Sequence, residues 1–177
     1  AGQRVPTDFA NVVWKRIARQ DPALLMQYTQ SAVPAVARAA ALAIAACDHP
    51  AAADSALASF GEASPVAQTA LLEGICLIRA SSCPPLLSAA RGSSDPAVRA
   101  TALTVASSNP EWLTEETIGS ALHDPDVNVV RAALTVLEDR SAKGFETDLA
   151  ILLKLGHEDV QERALRSLAR AGSRQAG

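Results

Sequence analysis

The run Asp95-Pro96-Ala97-Val98-Arg99 returns in altered form at Asp126-Val127-Asn128-Val129-Val130, 31 residues further on. The same step forward reaches His157-Glu158-Asp159-Val160-Gln161. Backward steps reach Ser64-Pro65-Val66-Ala67-Gln68 and then Val33-Pro34-Ala35-Val36-Ala37. A unit this short cannot bury its own apolar face, so a chain built from it must stack its copies into an array. Four apolar columns hold across the five copies. They read Val36, Ala67, Val98, Val129, Val160; Ala40, Leu71, Ala102, Ala133, Ala164; Ala41, Leu72, Leu103, Leu134, Leu165; and Ile44, Ile75, Ala106, Leu137, Leu168. Their spacing of i, i+4, i+5 and i+8 is one stripe of an amphipathic helix.

Local signals agree with that helix. Pro34, Pro65 and Pro96 share a column in its first turn, where the missing N–H costs nothing. Ser64, Asp95 and Asp126 precede it as N-caps. A second helix precedes each of these, with the columns Leu25, Ala56, Leu87, Ile118, Leu149 and Tyr28, Ser59, Ala90, Ala121, Leu152. Turns at Gly61-Glu62-Ala63, Gly92-Ser93-Ser94 and His123-Asp124-Pro125 join the pairs. Asp48-His49-Pro50, Cys83-Pro84-Pro85, Asn109-Pro110 and Lys143-Gly144 are read as breakers between them. The expected organisation is an N-terminal segment and capping helix in residues 1–20, a repeat array in 21–171 and a flexible tail in 172–177. Thr7 would cap the first helix, and its Trp14 and Ile17 would cover the apolar end of the stack.

Composition supports an all-α chain. Alanine, the best helix former, is about a fifth of the 177 residues, and aromatics are 3%. Strands favour β-branched and aromatic residues, so an all-β fold is excluded. With 49% hydrophobic residues and a net charge of -3, the chain is not of the disordered class. No stretch reads as membrane-spanning; the most apolar one, Ala32 to Cys47, is interrupted by Pro34 and Arg38.

Helical hairpins opened by Asp-Pro-Ala-Val-Arg-Ala-Thr-Ala-Leu, as at residues 95–103, resemble HEAT-like repeats. The 31-residue length is similar to the short bacterial variety also found in phycobilisome lyases. The resemblance covers about 150 residues and is closest in repeats three to five. It implies a right-handed α-solenoid, an αα-superhelix of about five hairpins, used mainly for protein–protein contact. It also implies that the first helices line a convex face and the second helices a concave one.

On that basis the second helices expose Arg38, Leu42, Ala45; Thr69, Glu73, Cys76; Ala100, Thr104, Ser107; Arg131, Thr135, Glu138; and Glu162, Arg166, Ala169. The candidate partner-binding residues are Thr69, Glu73, Thr104, Arg131, Thr135 and Glu138. Glu162 and Arg166 form an i, i+4 pair. A small, threonine-rich surface can admit a helix or extended peptide from a protein partner. An ordinary solvated face of a longer solenoid is the structural alternative. Nucleic acid is disfavoured: only Arg38, Arg131 and Arg166 lie on this surface, with Arg99 on the flank beside Gln68 and Gln161, and stacking aromatics are missing.

No catalytic constellation, cofactor motif or metal-ligand spacing is found. His49, His123 and His157 fall in turns and form no HExxH or His-x-x-x-His pair. Glu115 and Glu116 follow Thr114 as N-terminal charges of a helix. The resemblance to phycobilisome lyases raises a bilin-lyase alternative, with Glu73 or Glu138 as carboxylate to a tetrapyrrole, but alanine-rich hairpins leave little room for such a ligand. Cys47, Cys76 and Cys83 are an odd set without CxxC spacing; Cys76 reads as a semi-exposed thiol, and a Cys76–Cys83 bridge stays open. The reading is a non-enzymatic interaction module with no cofactor and no membrane insertion. Cytoplasmic placement is slightly favoured; the start at Ala1 without Met leaves open a periplasmic form whose leader has been removed, or a domain of a larger protein. Leu152, Leu153 and Leu155 beside Leu165 and Leu168 leave an apolar end open to further repeats, to the tail, or to end-to-end self-association.

Overall fold

The computed structural model describes residues 16–17, 20–47, 52–78, 80–140, 142–155 and 157–175. Thr7 and Trp14 of the expected capping helix lie outside the described residues; Arg16, Ile17 and Gln20 are helical. The chain divides into two compact units, Ala1–Val98 and Arg99–Gly177. All regular structure among the described residues is helical.

Unit 1 contains α1 (Pro22–Thr29), α2 (Pro34–Ala45), α3 (Ala52–Ala58), α4 (Pro65–Ile78), α5 (Cys83–Arg91) and the first turn of α6 (Pro96–Ala106). Helix α1 packs on α2 and α3, and α2 packs on α4. Unit 2 contains the rest of α6, then α7 (Glu115–Leu122), α8 (Val127–Asp139), α9 (Glu146–Leu155) and α10 (Glu158–Gln175). There α7 packs on α8 and α9, and α10 packs on both α8 and α9. Inside each unit, then, first helix meets next first helix and second meets next second. Helix α10 runs on to Gln175, past the Ala171 at which the sequence reading ends the array.

The helix starts follow from the capping residues. Ser64 Oγ accepts from Ala67 N–H at 3.4 Å, Asp95 Oδ1 from Ala97 N–H at 2.8 Å, and Asp126 Oδ1 from Asn128 N–H at 2.8 Å. Asp21 and Thr114 cap α1 and α7 in the same way. A second device recurs with the 31-residue period two positions earlier. The N–H groups of Val33, Asp95 and Asp126 donate to Ser31 Oγ, Ser93 Oγ and Asp124 Oδ1 at 3.2, 3.2 and 2.9 Å. Cys83-Pro84-Pro85 lies at the boundary between two pairs, as read from the sequence, and opens α5, because a proline in the first turn loses no intrahelical bond. Gly144 has φ +93°, which an L side chain rarely adopts, and so makes the turn into α9.

The core is made by the repeat columns. Leu25, Ala56, Leu87, Ile118 and Leu149 are buried, as are Ala40, Leu71, Ala102, Ala133 and Ala164. Two residues assigned to the exposed column are buried instead. Ala45 is covered because α4 approaches α2 closely: a Cβ added to Gly74 would lie 2.5 Å from Ala45 Cβ. Cys76 is drawn inward by a disulfide to Cys83, with Cα atoms 4.7 Å apart, so it is not a semi-exposed thiol. The bridge ties the end of α4 to the start of α5, and Cys47 is buried outside it.

Candidate interaction surface

The six sequence-derived candidates divide between the units. In unit 1, Thr69 is half-buried and gives its hydroxyl proton to the Val66 carbonyl at 2.9 Å. Glu73 is exposed and faces Arg38 Nη2 at 3.5 Å, a solvent-screened pair. In unit 2, Thr104 is exposed on α6 and donates to the Ala100 carbonyl at 3.1 Å.

Arg131, Thr135 and Glu138, all on α8, are brought together by a residue that sequence reading did not single out. Arg163 of α10 donates to Glu138 Oε1 from Nε at 2.9 Å, to Thr135 Oγ1 from Nη2 at 2.7 Å and to the Arg131 carbonyl from Nη1 at 3.1 Å. Arg163 stands in the column of Ala39, Ala70, Thr101 and Ala132, where every other copy has a small residue. That break in an otherwise small column was the available signal. Arg131 itself forks onto Asp159 at 2.6 and 3.0 Å and reaches Asn128 Oδ1 at 3.0 Å. Arg166 pairs with Glu162 one turn before it, as the i, i+4 spacing predicts. Arg170 adds a bond to the Glu138 carbonyl.

This lattice sets the charge states. The Arg163 hydrogen bond holds the Glu138 carboxyl below the ordinary range against a smaller opposing effect of desolvation, and the charges of Arg163, Arg170 and Arg166 add to it. The Arg131 hydrogen bond lowers Asp159, and Arg131 is raised in return. On the flank, Arg99 is not a spare cation: it clamps Asp124 through Nε and Nη2, both at 2.8 Å. Burial pushes Asp124 up, but the Arg99 hydrogen bond, the Asp126 N–H and the Arg99 charge together outweigh it and leave the carboxyl lowered.

Two other features of unit 2 bear on chemistry. His123 Nε2 lies 2.9 Å from Asp148 Oδ1, so this turn histidine links α7 to α9. Beside the turn into α9 lies an open cleft of about 730 Å³, floored by Leu113, Ile118, Leu137 and Phe145, with Glu115, Arg140, Lys143 and Glu146 around it. Its opposed charges favour no single sign of ligand. Among the described residues no group of three His, Cys, Asp or Glu is placed to hold a metal ion, and no described helix is long and apolar enough to cross a membrane.

Hairpins that stack on their sequence neighbours and present capped, ion-paired second helices define a helical-repeat protein of the α-solenoid class. A family model described as HEAT repeats matches residues 83–171, half of the chain, and the protein belongs to the HEAT-repeat family. No curated protein and no solved structure matches the chain.

Proposed function

We propose that this chain is a non-enzymatic protein-interaction module that offers the exposed face of its second helices to a partner. HEAT repeats commonly mediate protein interaction or scaffolding. The observation that carries the reading is the Arg163 clamp: it fixes Thr135, Glu138 and the α8 backbone in one geometry, with Thr104 and Arg131 on the same series of helices. A surface already ordered in this way loses little side-chain freedom on binding, which favours recognition. Thr69 and Glu73 hold the corresponding positions of the repeat register in unit 1. Three arginines of this face have carboxylates as partners, Arg131 with Asp159, Arg163 with Glu138 and Arg166 with Glu162, which weakens the case for phosphate binding. The Cys76–Cys83 bridge favours the oxidising of the two compartments read from the sequence.

The test is capture from the native source with an immobilised chain. The wild type is compared with an Arg131→Glu, Thr135→Arg, Thr104→Arg variant and with a Ser120→Arg control on α7. The reading expects proteins retained by wild type and control to be lost from the triple variant. Equal recovery by all three removes the second-helix face from consideration. Retention on DNA that falls steeply with salt supports the nucleic-acid alternative instead.

A further inference from the structure

Several hydroxyls of the second helices are spent on their own backbone. Thr69, Thr104, Ser107 and Thr135 donate to the carbonyls of Val66, Ala100, Thr104 and Arg131, three or four residues back. Ser167 of α10 does not. It is 2% exposed, and its Oγ has no hydrogen-bond partner in the protein. Nη2 of Arg140, the residue that ends α8, is buried and lacks a partner in the same way. Both residues line one small cavity between the end of α8 and α10.

Each stands in a column that earlier repeats fill mainly with apolar residues. Val105 and Val136 precede Ser167, and Cys47, Ile78 and Asn109 precede Arg140. Two adjacent repeats thus bring a polar group to one place, and the two groups do not bond each other. A buried hydroxyl and a buried guanidinium N–H are both costly to leave unpaired, and a bridging water is the usual remedy. The cavity leaves about 10 Å³ for the centre of a water molecule, which is room for one. Arg140 Nη2 can donate to that water and Ser167 Oγ can accept from it. Glu138, on the same wall, has acceptor capacity left beside the bonds it takes from Arg163 and Arg170. A halide ion would suit the charge of Arg140 but is larger than the space.

We infer that this cavity is a binding site for a single ordered water, which joins α8 to α10 by bridging Arg140 Nη2 and Ser167 Oγ. Arg140 also lines the open cleft beside the turn into α9. The water therefore anchors this guanidinium between cleft and cavity, and Ser167 is a positioning residue for it.

A high-resolution crystal structure of the full 177-residue chain, grown with bromide in place of chloride, tests the inference. The expected result is one ordered oxygen within about 2.5–3.2 Å of both Arg140 Nη2 and Ser167 Oγ, without the anomalous signal of bromide. In solution, water should give nuclear Overhauser cross-peaks to the methyl groups of Ala142 and Ala171, which line the cavity. Ser167→Val places the residue of the preceding repeat in the cavity and should expel the water while leaving the far-UV circular dichroism unchanged. No ordered oxygen in the wild type overturns the inference, and this result is decisive even where Ser167→Val does not fold. So does bromide at the site, an oxygen bonded to only one of the two groups, Ser167 Oγ turned onto the Arg163 carbonyl, or a water retained in folded Ser167→Val.

Discussion

Arg99 grips Asp124 through two hydrogen bonds of 2.8 Å, and it stands in its repeat where Gln68 stands opposite Ser93, whose hydroxyl donates to Gln68 Oε1 at 3.4 Å. Both partners are 25 residues away, and Ser93 and Asp124 each accept a turn N–H as well. The same structural place is thus filled by a neutral pair in one repeat and by an ion pair in the next.

That equivalence predicts a graft. Arg99→Leu leaves the half-buried Asp124 carboxylate without its counter-charge and should cost about 2–3 kcal/mol. The double variant Arg99→Gln, Asp124→Ser rebuilds the chemistry of Gln68 and Ser93 and should recover most of that loss. Urea unfolding of the three proteins decides it. A double variant no more stable than Arg99→Leu would show that the two places are not equivalent.

Acid should unfold the protein through the same carboxylates. Asp124, Glu138 and Asp159 are all lowered in the folded chain. A lowered carboxyl contributes stability that is fully present above its unfolded pKa and is lost as pH falls through its folded one. Stability should therefore be level near neutrality and decline below roughly pH 4, continuing to fall as the native carboxylates protonate. Asp124→Asn should be less stable at pH 7 and show a shallower decline. A Tm that is flat from pH 6 to about 2.5 would contradict the assignment.

The close approach of α2 and α4 is testable at Gly74. A Cβ there meets Ala45 Cβ at 2.5 Å, and a helix-borne methyl cannot swing aside. Gly74→Ala should destabilise by about 1–2 kcal/mol, overpacking outweighing the gain in helix propensity. Adding Ala45→Gly should relieve the clash, and the two changes should be strongly non-additive in a double-mutant cycle. A neutral or stabilising Gly74→Ala would mean the helices separate at no cost.

Reduction should loosen the junction of α4 and α5. The Cys76–Cys83 bridge closes a loop of 8 residues, a separation of 7, which by chain entropy stabilises by about 2–3 kcal/mol. The Tm should drop with reductant, and Cys76→Ser with Cys83→Ser should match the reduced wild type. An intact mass unchanged by reduction would show that the bridge is not made.

Much of this architecture is legible along the chain because it depends on short spacings. The Pro96 and Asp95 signals, the alanine column and the leucine column each need only neighbours within one helix turn, and the 31-residue period places the copies. Glu162 and Arg166 were legible for the same reason. Arg163 was not, since its partners Thr135 and Glu138 lie 28 and 25 residues away on another helix. The covered state of Ala45 and Cys76 was hidden too, one set by a glycine on a different helix, the other by a covalent bond that an odd cysteine count left open.

By itself the amino-acid sequence determined that the chain is helical, that its helices come in pairs and that the pairs repeat, because capping, proline placement and apolar periodicity act over a few residues. Only the tertiary structure decided which equivalent columns are covered and which charges are spent on one another. Leu134 and Leu165 are the same residue in the same column, yet one is sealed and the other exposed. Burial depends on what packs against a side chain, and that is a property of the neighbouring hairpin rather than of the column.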